Sequence, residues 1–139
     1  MGRIIIGILF ISNLLLANVG YVSTLTGNVE LKRNKEVMAL QIGMTIEEGD
    51  IIISKAKSSI GIVFDDGTSI SLEEKSIFVI NKFVVDPSKK EYDVDVELTQ
   101  GKALFESGKV GKLAPQSVKF RIPEGIIGIR GTKFVVEVS

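Results

Sequence analysis

Polar and apolar residues alternate with period two through much of this chain. Tyr92-Asp-Val-Asp-Val-Glu-Leu-Thr99 does so without a miss. Tyr92, Val94, Val96 and Leu98 fall on one face, and Asp93, Asp95, Glu97 and Thr99 on the other, which is the signature of a half-buried strand. Val118-Lys-Phe-Arg-Ile122 and Phe134-Val-Val-Glu-Val138 repeat the pattern. Ile51-Ile-Ile53 and Ile77-Phe-Val-Ile80 are continuous apolar runs, which suit strands covered on both faces. Asp66-Gly67 lies between Ile60, Ile62, Phe64 and Ile70, Leu72, so a hairpin turn is expected there. Glycine and aspartate recur at the short spacing of many strands, from Gly27 and Gly43 through Gly49-Asp50, Asp86-Pro87 and Gly101 to Gly125 and Gly131. No helical period stands out after the N-terminal segment. Glu106 to Gln116, with Gly108, Gly111 and Pro115, is expected to be an extended loop and the most mobile part of the chain. Leu25-Thr-Gly-Asn-Val-Glu-Leu31 is echoed by Leu98-Thr-Gln-Gly-Lys-Ala-Leu104, as stacked rungs of short strands would produce. Pattern alone therefore predicts an all-β fold and leaves a β-sandwich open beside a stack of rungs.

The N-terminal segment differs from the rest. Met1 and Arg3 precede an apolar run of about thirteen residues, Ile4 to Leu16, followed by Ala17, and the first acidic residue is Glu30. This is the layout of a secretory signal peptide. The run is shorter than the roughly twenty residues that a bilayer-spanning helix needs. Residues 1–17 are expected to form a signal helix cleaved after Ala17, with a β domain over residues 20–139. If the segment is not cleaved, it is the chain's one link to a membrane.

With 139 residues, 45% of them apolar and 24% charged, the composition is that of one globular domain with a substantial core. Lys plus Arg equals Asp plus Glu at 17 each, and removal of residues 1–17 takes Arg3 alone, leaving a net charge of about −1. The cations are scattered, with Lys89-Lys90 and Lys109 through Lys112 as the densest stretches, so nucleic acid is not expected as a partner.

The chain has no histidine and no cysteine. That excludes Ser-His-Asp and Cys-His catalysis within it, removes disulfides, and removes the commonest zinc ligands. Carboxylates remain: Glu47-Glu48-Asp50, Asp65-Asp66, Glu73-Glu74, and the row Asp93, Asp95, Glu97. Alternate residues of a strand stand about 6.6 Å apart, wide for a retaining glycosidase pair and near the lower end for an inverting one. The row is read as a solvated outer face that keeps its strand soluble. Asp65-Asp66-Gly67 lacks the remaining ligands of a calcium loop and is read as a turn. No catalytic residue, metal site or cofactor is expected.

Taken in order, the motifs resemble those of the FecR-domain family. They are Gly27-Asn-Val-Glu-Leu-Lys-Arg33; Leu40-Gln-Ile-Gly43 leading into Glu48-Gly-Asp-Ile-Ile-Ile-Ser54; and Ser58-Ser-Ile-Gly-Ile-Val-Phe-Asp-Asp-Gly-Thr-Ser-Ile-Ser-Leu72. They continue with Leu98-Thr-Gln-Gly-Lys-Ala-Leu-Phe105, Phe120-Arg-Ile-Pro123 and Gly128-Ile-Arg-Gly-Thr-Lys-Phe134. The family forms the periplasmic part of bacterial ferric-citrate-type signalling regulators and of many stand-alone envelope proteins. Ile122-Pro-Glu-Gly125 departs from it, since the family usually has a Thr-Pro pair followed by small residues. The resemblance implies a short twisted β-solenoid or β-roll, a periplasmic or secreted location, and a binding or signal-relay role with another envelope protein as partner. A binding module for cell-wall glycan is the alternative, weakened by two tyrosines and no tryptophan. The helical sigma-factor-binding domain and transmembrane helix of many family regulators have no counterpart here, so anti-sigma activity is not carried over. The resemblance gives Asp66, Gly67, Gly128, Arg130, Gly131 and Thr132 as motif residues with mainly structural roles. An Arg130 guanidinium between apolar runs can fork onto a carboxylate inside the fold or face a partner's anionic group, and the internal pairing is expected.

Overall fold

The computed structural model describes residues 18–129 and 132–139. The expected signal helix over residues 1–17 lies outside them. The described chain is all-β, and its sheet curls into a half-barrel. The strands are β1 (Asn18–Thr26), β2 (Val29–Arg33), β3 (Glu36–Ala39), β4 (Thr45–Glu47), β5 (Ile51–Ser54), β6 (Ser59–Phe64), β7 (Ser69–Leu72), β8 (Ile77–Asp86), β9 (Glu91–Glu106), β10 (Val118–Ile122), β11 (Gly125–Ile127) and β12 (Lys133–Val138). Their lateral order is β3-β2-β5-β8-β9-β7-β6-β1-β4, with β10 and β12 also paired to β9, and β11 to β10. All described pairs are antiparallel except β9–β10.

Strand β9 organises this arrangement. Its first part pairs with β8 and β10, and its last part, from Gly101 on, pairs with β7 and β12. The change of partners falls at Gly101, whose φ of +100° is a conformation that side-chain-bearing residues rarely adopt. A Cβ there would also collide with Ser76. Ser76 is itself fixed, donating its backbone N–H to Ser54 Oγ at 2.9 Å and accepting the Lys102 N–H on its Oγ at 3.0 Å.

The alternating pattern sorts into faces as expected. Val94, Val96 and Leu98 are buried while Asp93, Asp95 and Glu97 lie at the other face. The isoleucine runs differ from expectation. Ile52, Phe78 and Ile80 are buried, but Ile51, Ile53, Ile77 and Val79 are only partly so. In a curled antiparallel sheet one face of each strand meets the core and the other keeps an outlook, so even an all-apolar run is buried alternately. The two halves of the sheet close on each other through aromatic rings. Phe105 of β9, Phe120 of β10 and Phe134 of β12 form a triangle with centroids 5.1–5.7 Å apart. At the other end Phe64 of β6 stacks on Phe83 of β8 at 4.3 Å. Such pairs add about 1 kcal/mol each beyond the area they bury.

The expected loop from Glu106 to Gln116 is a further correction. It carries a short helix, α1 (Lys109–Leu113), and a 3-10 turn (Pro115–Ser117), with Val110 and Ala114 buried. One turn of helix is too short to show a sequence period, and its supports are tertiary.

Candidate functional site

Asp66-Gly67-Thr68 closes the β6–β7 hairpin as expected. Gly67 has φ +90°, its N–H reaches the Phe64 carbonyl at 2.9 Å, and Phe64 N–H reaches the Thr68 carbonyl at 2.7 Å. Asp66 does more than turn. One carboxylate oxygen accepts the Thr68 N–H at 2.9 Å; the other accepts the Thr68 hydroxyl at 2.9 Å and the Val110 N–H at 3.0 Å. The Asp66 carbonyl takes the Lys109 N–H at 3.0 Å, and Thr68 Oγ1 takes the Gly108 N–H at 2.9 Å. The hairpin tip thus caps the first turn of α1, whose own N-cap residue, Gly108, has no side chain to do so. A Cβ on Gly108 would strike the backbone of Asp66, Gly67 and Thr68, so the close approach requires glycine. Asp66 and Thr68 are both buried in this assembly.

Two bidentate pairs hold strands together elsewhere. Arg33 of β2 donates from Nε and Nη2 to the two oxygens of Asp50, both at 2.8 Å, and its Nη1 lies 3.4 Å from Glu47. Asp50 is fully buried and also accepts the Glu47 N–H at 2.7 Å. The Asp50 carboxylate holds the Arg33 guanidinium above its ordinary pKa by hydrogen bonding. Arg121 of β10 donates to the two oxygens of Asp95 in β9 at 2.7 and 2.8 Å. That bond holds the Asp95 carboxyl below the usual carboxylate range. The carboxylate row is therefore not simply a solvated face: Asp95 is a strand-to-strand anchor, Asp93 stands 3.9 Å from Lys82, and Glu97 lies in register with Arg121. Arg121 sits with Lys119 on the polar side of β10, whereas Arg33 follows Val29 and Leu31 on the inward side of β2, and only the register shows which carboxylate each meets.

Glu48 accepts the Phe83 N–H at 2.9 Å. With Asp65, Asn81 and Asp86 it borders a cleft of about 660 Å³ beside Phe83, and the Asp86 carboxyl is held low by the Ser88 hydroxyl at 2.6 Å. Among the described residues no group of three acidic side chains is placed to hold a metal ion.

A second opening lies between β11 and β12, where the half-barrel is not closed. This groove of about 460 Å³ is lined by Ile127, Gly128, Ile129, Phe134, Val135 and Val136. Gly128 is exposed at its rim; Thr132 is exposed too, and its carbonyl accepts the Ser107 N–H at 2.8 Å. Arg130 and Gly131 lie outside the described residues. Strand β12 pairs with β9 on one side, and no described strand pairs with its other side. The alternation of Phe134 to Val138 was legible as a strand, but its position at the rim of the sheet was not. The aromatic residues are mostly core: five phenylalanines are buried, and Tyr21 is the strongly exposed ring among those described.

Fold and side-chain clusters together define an all-β module whose buried polar groups hold strands and a helix in place, with an apolar groove at an open sheet edge. The FecR protein family matches residues 50–139, from the turn before β5 through β12, and the chain belongs to that family. Strands β1 to β4 precede the matched span yet share its sheet, β1 on β6 and β2 on β5. A solved structure described as a cell surface anchoring domain is similar at 27% identity and a TM-score of 0.42, covering 44% of this chain and 82% of that one. No curated protein matches the chain. No helix among the described residues is long and apolar enough to cross a membrane.

Proposed function

We propose that this chain is an exported, non-catalytic FecR-type module of the bacterial periplasm or envelope. It binds another envelope protein and relays a signal to it. The observation that carries the reading is the β12 edge beside the Ile127–Val136 groove, within the family-matched span. A sheet edge offers backbone donors and acceptors to an added strand, and neighbouring pockets select its side chains. Burial of five phenylalanines, with Tyr21 as the strongly exposed ring among those described, disfavours the glycan alternative, since sugar platforms favour several exposed rings. Within the solenoid-or-roll range we favour a β-roll, because stacked solenoid rungs pair in parallel, whereas the described pairs here are antiparallel except β9–β10.

In-cell crosslinking of the tagged chain, with mass spectrometry of its partners and of its own N-terminus, tests this reading. Capture of one specific envelope protein by a chain beginning near Asn18 supports it. An intact Met1 with no specific partner overturns the relay.

A further inference from the structure

The outer side of β12 is self-complementary. Lys133, Val135 and Glu137 are exposed on one face, with Val135 59% exposed, while Phe134, Val136 and Val138 turn inward. Against β9, Lys133 is opposite Glu106, Val135 opposite Leu104, and Glu137 opposite Lys102. A second β12, antiparallel and centred on Val135, repeats this match. Lys133 then faces Glu137 of the copy, Val135 faces Val135, Glu137 faces Lys133, and Phe134 faces Val136 on the inner side. Across the four strands the charges alternate from Lys102 to Glu137 to Lys133 of the copy to its Glu106.

Other registers lose this match. A shift by two residues sets charges against valines, and a shift by one sets the exposed face against the inner face. Parallel in-register stacking would place lysine beside lysine and glutamate beside glutamate. The other edge strands are shorter, β3 with four residues and β4 and β11 with three each, and the far end of β8, which has a strand on its β9 side alone, is already engaged at Phe83, whose N–H donates to Glu48.

Taking from that reading β12 as an open pairing edge, we propose that the edge itself is occupied by β12 of a second copy of this chain, so that the envelope partner is met by the assembled dimer. The result is a two-fold dimer with one continuous sheet across the axis. The contact is isologous, so it closes at two copies and does not propagate into fibres.

The chain has no cysteine, so a Val135→Cys thiol is unique. On the axis, two such residues would have Cα atoms about 4.5–5.5 Å apart, within reach of a disulfide. Copper-phenanthroline oxidation in the envelope of cells producing the full chain should crosslink Val135→Cys several-fold more than Val37→Cys on the β3 edge. Two differently tagged chains then carry Val135→Cys with Lys133→Glu or with Glu137→Lys. Each alone sets like charges together twice; mixed, they restore both attractive pairs while every contact within each chain is unchanged. The mixed dimer should exceed either like dimer by about tenfold. Equal crosslinking at positions 135 and 37, or no excess of the mixed dimer, overturns the proposal. If crosslinking fails while an envelope partner is still captured, the self-pairing falls and the relay reading stands. If the dimer forms and no partner is captured, the relay reading falls alone.

Discussion

The carboxylate of Asp66 accepts the backbone N–H of Val110 at 3.0 Å across 44 positions of sequence. This bond joins a hairpin tip to a helix that has no cap of its own. Removal of the carboxylate orphans the N–H of Val110 and both donors of Thr68 in a buried setting. Each buried unsatisfied group costs about 1–3 kcal/mol. Asp66→Ala should therefore destabilise the fold by about 3 kcal/mol or more and open residues 106–117 to protease. Denaturant unfolding and limited proteolysis check it; an unchanged midpoint would show that water replaces the carboxylate at no cost.

At Gly101 the backbone is positive in φ and Ser76 fills the space a side chain would need. Gly101→Ala should cost about 1–3 kcal/mol from backbone strain, with collision against Ser76 added to it. Gly43 has φ +92° but open space around it, so Gly43→Ala should cost only the strain. A larger loss of melting temperature at 101 than at 43 is the expected result.

Arg33 faces a fully buried Asp50. Arg33→Ala leaves that charge uncompensated and should destabilise the fold by on the order of 3 kcal/mol. Adding Asp50→Asn removes the buried charge while an amide oxygen remains to accept from Glu47. The double variant should recover part of the loss in a denaturation series. If it is no better than Arg33→Ala, packing of the guanidinium, and not charge, carries the effect.

Arg121 holds the Asp95 carboxyl below its ordinary pKa. The unfolded chain, with an aspartate near 3.9, binds the proton first as pH falls. The contribution of Asp95 is thus fully present above about pH 4 and is lost as pH drops through the depressed folded value. Asp95→Asn should lower the melting temperature at pH 7, and the gap to the unmodified chain should narrow steadily toward pH 3. A gap independent of pH would mean that the pair contributes nothing electrostatic.

The residues whose environment is local were readable in the chain. Tyr92 to Thr99 had to be a half-buried strand, because period-two alternation leaves no other way to segregate its faces. Asp66-Gly67 had to turn, because only a tight loop joins Phe64 to Ile70 with both sides paired. The ordered motifs from Gly27 to Phe134 pointed to the FecR family, to which the chain belongs. The candidate site was less legible. The turn role of Asp66 was visible but its capping of Val110 was not, and Phe134 to Val138 was visible as a strand but not as a rim.

What sequence alone determined is therefore the all-β class, the positions of the main strands, their inward faces, and the absence of histidine and thiol chemistry. Tertiary structure decided which strands are neighbours. The change of partners along β9 at Gly101, the forks of Arg33 on Asp50 and of Arg121 on Asp95, the capping of α1, and the open edge of β12 all follow from that order. Strand pairing joins residues far apart in the chain, and alternation marks the face a side chain takes but not the strand it lies beside.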